Sequence, residues 1–231
     1  MIYLGIDTSN SPLTIALAKD DTILIEETSN LKINHSLTAM PAIEEMMANA
    51  KIAPAHLTHI AVAEGPGSYT GVRIGMTIAK TLAWSLKIPL HMVSSLKVLA
   101  ANGQYFDGII CSLMDARRGT AFMGAYEGKS LESLIPDQHS DVKEFLFKLK
   151  EFGRQVLFTG VDIEIHEEMI RQVLGEDAVF SAPSNRLPRA SNLIVLAKSS
   201  EAQDIHHAVP EYRRITEAEA NYNKAQGGAE S

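Results

Sequence analysis

The order in which strand-like and helix-like stretches follow one another constrains this 231-residue chain more than any single motif. Residues 2–8, 13–18 and 22–28 are rich in apolar and β-branched side chains. Turn-forming runs separate them, from Asp7 to Pro12 and at Asp20-Asp21, which predicts three strands in an antiparallel meander. An amphipathic helix is predicted over 36–50, where Leu37, Met40, Ile43, Met47 and Ala50 recur at three- and four-residue spacing. Pro41 falls in its early turns, where proline is tolerated. A strand over 60–63, a sharp turn at Gly65-Pro66-Gly67, a helix over 68–86, a strand over 89–93 and a short helix over 95–102 follow. After 103–108 a similar order begins again. Strands are predicted over 109–114, 120–126 and 134–136, then a helix over 141–150, a strand over 156–159, a helix over 166–174, a strand over 179–180 and a helix over 190–199. Two halves with one element order predict a duplicated fold, divided into 1–103 and 104–216, with a polar, flexible tail over 217–231. No sequence repeat links the halves, so the inference rests on topology.

Composition narrows the function classes. The chain is 45% hydrophobic and 21% charged, ordinary for a globular protein. No apolar run approaches the roughly 20 residues that span a bilayer. The start, Met1 to Asp7, lacks a basic segment and reads as a strand rather than a signal peptide. Cys111 is the only cysteine, so no intrachain disulfide can form. These features predict a cytoplasmic protein. The net charge of -7, with basic pairs only at Arg117-Arg118 and Arg213-Arg214, predicts weak or no independent binding of nucleic acid, because phosphate neutralisation needs Lys and Arg.

The most informative segment runs from Gly65 to Gly75, Gly-Pro-Gly-Ser-Tyr-Thr-Gly-Val-Arg-Ile-Gly. A glycine turn entering a helix can present backbone N–H groups to an anion. It is not a P-loop, since no Gly-Lys-Ser/Thr follows, and its third glycine comes one residue late for the dinucleotide fingerprint. Gly71, Gly75, Ala79 and Ala83 instead form a stripe of minimal side chains along one helix face. A glycine inside a helix costs about 1 kcal/mol relative to alanine, so two of them imply a compensating close contact, either with the chain's own sheet or with another chain. Met40, Met46 and Met47 add adaptable side chains to the preceding helix, where they serve either a core or a binding surface. His56 and His59 lack an evident third metal ligand, His206-His207 reads as exposed, and no His-Glu-x-x-His occurs.

Gly5-Ile6-Asp7-Thr8-Ser9, His35-Ser36-Leu37, the Gly65 to Gly75 segment, Ser94-Ser95-Leu96 and Asp115-Ala116-Arg117-Arg118 occur in an order and spacing that resembles the TsaB (YeaZ-type) family of the bacterial tRNA threonylcarbamoyladenosine synthase. The likeness is strong over residues 1–120 and continues weakly through Pro210-Glu211-Tyr212-Arg213. It implies an α/β fold of the actin-like ATPase superfamily, with two ribonuclease-H-like domains, each a mixed sheet with flanking helices. It also implies a subunit that supports TsaD, its catalytic paralogue, together with the ATPase TsaE, and that pairs with itself through the N-terminal half when alone. The partner surface it implies comprises His35, Leu37, Met40, Met47, Gly71, Arg73, Gly75, Ala79 and Ala83. By the superfamily pattern, Asp7, Thr8 and Ser9 face a nucleotide from the first hairpin and Asp115 from the second. The paralogue's two metal-binding histidines fall opposite Ser95 and Leu99. Leucine has no lone pair to donate and serine is a poor transition-metal ligand. The expectation is therefore a non-catalytic subunit with no intrinsic cofactor or metal, ATP with magnesium and a metal ion being held by its partners. An active actin-like ATPase or small-molecule kinase is the alternative.

Overall fold

The computed structural model describes residues 1–31 and 34–212. The Arg213-Arg214 pair, the end of the predicted second half and the predicted tail lie outside the described residues.

The first sheet holds β1 (Ile2–Asp7), β2 (Leu13–Lys19), β3 (Thr22–Ser29), β4 (His59–Ala63) and β5 (Leu90–Val93), in the order β3-β2-β1-β4-β5. β1, β2 and β3 are antiparallel neighbours, and β1, β4 and β5 are parallel ones. The second sheet holds β6 (Ile109–Asp115), β7 (Thr120–Glu127), β8 (Ser133–Asp141), β9 (Val156–Thr159) and β10 (Ala178–Phe180), in the order β10-β9-β6-β7-β8. Its pairings repeat those of the first sheet, strand for strand. The duplicated fold read from element order is thus present.

Alternation along the strands gives each sheet two buried faces. On one face of the first sheet, Leu4, Ile6, Ile15, Leu17, Ile60 and Val62 pack against α1 (His35–Asn49) and α2 (Tyr69–Leu86). Asn34 caps α1 by accepting from the Ser36 N–H, and Ser68 caps α2 by accepting from the Gly71 N–H. In the second half, α4 (Val142–Lys150) and α5 (Ile163–Leu174) cover the equivalent face. α5 begins at Ile163 rather than near His166, which places His166 inside the helix, facing the sheet.

The opposite faces are covered by an exchange. α3 (Ser95–Ala100), from the first half, lays Leu96, Leu99 and Ala100 on Ile110, Met114, Phe122 and Tyr126 of the second sheet. α6 (Ala190–Ala197), from the second half, lays Ala190, Leu193, Ile194 and Ala197 on Tyr3, Ala16, Ala18 and Ala61 of the first. This corrects the division at residue 103. α6 belongs by packing to the first sheet, and so does the chain after it, which bonds to β5 through the Gln203 N–H and the Leu90 carbonyl. The periodicity of 190–199 shows an apolar face but not which sheet that face meets.

Candidate partner interface

The glycine-alanine stripe of α2 faces inward. Gly71, Gly75, Ala79 and Ala83 are all buried within their own half. A Cβ on Gly75 would sit 2.5 Å from the Thr8 hydroxyl and 3.7 Å from Val62, and one on Gly71 would collide with the Thr8 carbonyl. The close approach that the two glycines require is therefore made by the first hairpin and β4 of the same chain. These four positions are corrected from a partner surface to an internal contact, and Met47 likewise lies in the core beside Met46.

Of the remaining predicted positions, Leu37, Met40 and Arg73 are exposed. Leu37 is 71% exposed and Met40 45% exposed on α1, and Trp84 of α2 is 66% exposed. Pro41 has no N–H to give the Leu37 carbonyl, so α1 lacks one rung near its exposed start. His35 is partly buried and anchors that start, its Nε2 lying 2.9 Å from the Asn10 carbonyl oxygen. A groove of about 160 Å³ opens beside it, lined by Leu13, Glu27, Leu31, Thr38 and Ala42 among others. Arg73 is exposed on α2, and Tyr69, one turn earlier, lies under its guanidinium. Trp84 and Tyr69 escaped the sequence reading. The signal that could have found them is a large aromatic on the side of α2 away from the small-residue stripe.

The two hairpins expected to face a nucleotide bond their polar side chains largely within the chain. Asp7, Thr8 and Ser9 are buried, Asp7 and Ser9 completely. Asp7 Oδ1 accepts from the Ser9 N–H at 2.8 Å and the Ser9 hydroxyl at 2.7 Å, while Oδ2 has no partner. Burial raises the Asp7 carboxyl above the ordinary aspartate range, against the lowering effect of the Ser9 bonds and His35. The glycine turn lies directly on this loop. The Ser68 N–H donates to the Ser9 carbonyl at 2.7 Å, and the Thr8 hydroxyl to the Gly71 carbonyl at 2.7 Å. Asp7 is completely buried and the turn is bonded to its neighbours Thr8 and Ser9, so these residues do not fit a magnesium nucleotide as they stand. On the second hairpin, Asp115 is partly exposed and its carboxylate is already engaged. Oδ1 lies 2.9 Å from His166 Nε2, and Oδ2 accepts from the Arg117 N–H at 3.1 Å. His166 is the partner that the sequence reading missed, because the helix was expected to begin there.

Ser95 and Leu99 are both fully buried. The Ser95 hydroxyl accepts from the Gly65 N–H at 3.1 Å and its own N–H donates to the Gly65 carbonyl, while Leu99 packs on the second sheet. These two positions form a joint between the glycine turn and apolar core. Next to it, the Ser94 hydroxyl and the Tyr126 hydroxyl both donate to the Asp137 carboxylate, fastening α3 to the second sheet. Among the described residues no group of three His, Cys, Asp or Glu side chains is arranged to hold a metal ion.

Two mixed sheets of identical topology, flanked by helices, define an actin-like ATPase fold. The fold is shared by a Pseudomonas aeruginosa protein described as similar to peptidase YeaZ, at a TM-score of 0.78 and 24% identity, covering 92% of this chain and 99% of that one. It is also shared by the ethanolamine utilization protein EutJ of Carboxydothermus hydrogenoformans, at a TM-score of 0.50 and 12% identity, over 84% and 89%. The model of the TsaD family, tRNA N6-adenosine threonylcarbamoyltransferase, matches residues 22–225. The tRNA threonylcarbamoyladenosine biosynthesis protein TsaB of Bacillus subtilis is 49% identical over 228 residues, spanning 98% of this chain and 100% of its own. The chain belongs to the TsaB family of tRNA threonylcarbamoyladenosine biosynthesis proteins.

Proposed function

We propose that this chain is a non-catalytic partner subunit in the threonylcarbamoylation of the adenosine beside the tRNA anticodon, supporting a TsaD-type transferase together with the ATPase TsaE. One contrast carries the reading. The phosphate-facing hairpin is filled by the chain's own turn, whereas the outer sides of α1 and α2 leave Leu37, Met40 and Trp84 exposed. Large apolar side chains left in water on adjacent helices mark a docking surface. Nucleotide with magnesium, and the transferase's metal ion, belong to the partners in this reading. TsaD is the partner in the active complex, and a second copy uses the same helices when the chain is alone. tRNA is met through the complex, consistent with the net charge of -7. No helix among the described residues is long and apolar enough to cross a membrane, which fits work in the cytoplasm.

The test is reconstitution of the modification on unmodified tRNA from purified components. The chain alone should give no product, and adding it to TsaD and TsaE should raise the yield. Leu37→Asp with Trp84→Asp should abolish that support and the capture of TsaD while leaving the melting temperature within about 1–2 °C, since exposed substitutions change stability by only about 0.5 kcal/mol. Asp7→Asn should support modification as the wild type does. Nucleotide turnover by the isolated chain that Asp7→Asn abolishes would instead establish the ATPase or kinase alternative.

A further inference from the structure

The Pro210-Glu211-Tyr212 motif has no role in the hairpins or in α1, yet the fold returns it across the molecule to the glycine segment. The Glu211 N–H donates to the Glu64 carbonyl at 2.8 Å, and the Glu211 carbonyl oxygen lies where a Cβ on Gly65 would be only 2.6 Å away. Gly65 also holds φ at +107°, a conformation glycine adopts without strain. Residues 203–212 thus form a strap along one flank of α2, whose Tyr69, Arg73, Lys80 and Trp84 recur at helical spacing. Lys80 Nζ donates to the Ala208 carbonyl at 2.7 Å, and Arg73 Nε to the Tyr212 hydroxyl at 2.6 Å. The Arg73 guanidinium carbon lies 3.8 Å from the centre of the Tyr69 ring and 5.4 Å from that of Tyr212, the two rings being 5.0 Å apart.

We propose that Arg73, held by Tyr69 and Tyr212, is a preformed clamp for a carboxylate of the TsaD-type partner, and that the C-terminal strap is therefore part of the docking surface. The proposal rests on the reading of the α1–α2 face as that surface. A free arginine must give up side-chain freedom when it forms an ion pair. Here Nε and both ring contacts already fix the plane, so little freedom remains to be lost on binding. Among the described residues Nη1 and Nη2 have no hydrogen-bond partner, and two parallel N–H donors match the two oxygens of a carboxylate. Tyr, Arg and Trp are the residues that most often dominate interface energetics. Tyr69, Tyr212 and Trp84 are 46%, 44% and 66% exposed, and Trp84 also belongs to the proposed docking face.

Calorimetric titration of purified TsaD with the purified full chain, at low and high salt, tests this. Arg73→Ala should weaken binding about tenfold or more, and Arg73→Lys should restore only part of it, because an ammonium lacks the fork. Tyr212→Phe, which keeps the ring and removes the hydroxyl, should weaken binding about threefold, because the guanidinium loses the bond that holds Nε and regains side-chain freedom. Added salt should weaken the wild type more than Arg73→Ala. Binding by Arg73→Ala within twofold of the wild type, or with the same salt dependence, overturns the clamp while leaving the docking face standing. So does an effect confined to self-association in sedimentation experiments. Wild-type protein that fails to bind TsaD at all would instead remove the docking reading, and the clamp with it. Thermal unfolding of each variant separates lost contact from a loosened strap, and Arg73→Lys and Tyr212→Phe keep the test intact if Arg73→Ala disturbs the fold.

Discussion

Gly75 illustrates what a single position can and cannot announce in a sequence. Its spacing with Gly71, Ala79 and Ala83 shows that something must come close to α2, but one helix cannot say whether that neighbour is its own hairpin or another molecule. The first hairpin is packed there, so a side chain at 75 strikes Thr8. Gly75→Leu should destabilise the chain itself by about 3 kcal/mol or more, since overpacking a rigid contact costs about 1–3 kcal/mol and this one is with a strand-end loop that is fully buried. Urea unfolding should show the midpoint falling with little change in slope. A variant as stable as the wild type that loses only its association would restore the external reading. Asp7, Thr8 and Ser9 teach the same lesson. Their identities fit a phosphate site, and only three-dimensional packing reveals that Gly71 holds the Thr8 hydroxyl, Ser68 the Ser9 carbonyl, and Ser9 one oxygen of Asp7.

At the level of elements, periodicity located nearly all helices and strands, because each buries one face and repeats apolar residues accordingly. It misplaced the start of α5, where Asp162 stands at the N-cap, a position aspartate favours, although its carboxylate accepts from the Asp115 N–H instead of capping the helix. It also gave no hint of what gathers at the ends of β1, β4 and β5. There the ring of His59 stacks on Tyr3 at 4.3 Å, with His91 5.5 Å from His59. His91 Nδ1 lies 3.2 Å from the Ser200 carbonyl oxygen, between α6 and the strap, and its Nε2 is buried without a partner. Lys198 reaches over Tyr3, and the Met1 ammonium acts on His59. Burial, first, holds both imidazoles below the ordinary histidine range. For His59 the neighbouring His91 and the Met1 ammonium add to it, while for His91 the Ser200 bond opposes it. The unfolded chain takes up these protons as pH falls through about 6.5, whereas the folded chain resists until lower pH. Stability from this cluster is therefore complete above about pH 6.5 and is lost as pH falls toward the folded values. The melting temperature should drop between pH 7.5 and 5.5, and drop less in His59→Phe, which retains the stack on Tyr3. Equal drops in the two proteins would show that the pair does not govern the effect.

Across the whole molecule, the predicted halves are present as sheets but not as separable bodies. The sequence carries the duplication plainly, since element order follows from local pattern. It does not carry the exchange of α3 and α6, which depends on contacts between residues that are far apart in the chain, such as Ala190 with Thr14. Residues 1–103 expressed alone would leave Tyr3, Ala16, Ala18 and Ala61 without α6. That fragment should give an aggregated or poorly dispersed protein by NMR, and co-expression with 104–231 should rescue it. A well-dispersed spectrum from 1–103 alone would show that the first sheet does not need its borrowed cover.

Because each sheet is roofed by a helix from the other half of the sequence, the two halves of the chain cannot part without uncovering both sheets. Opening them would strip apolar surface from both at once, so a loss of order in either half is felt in both. A chain built this way should unfold in one cooperative transition rather than sheet by sheet.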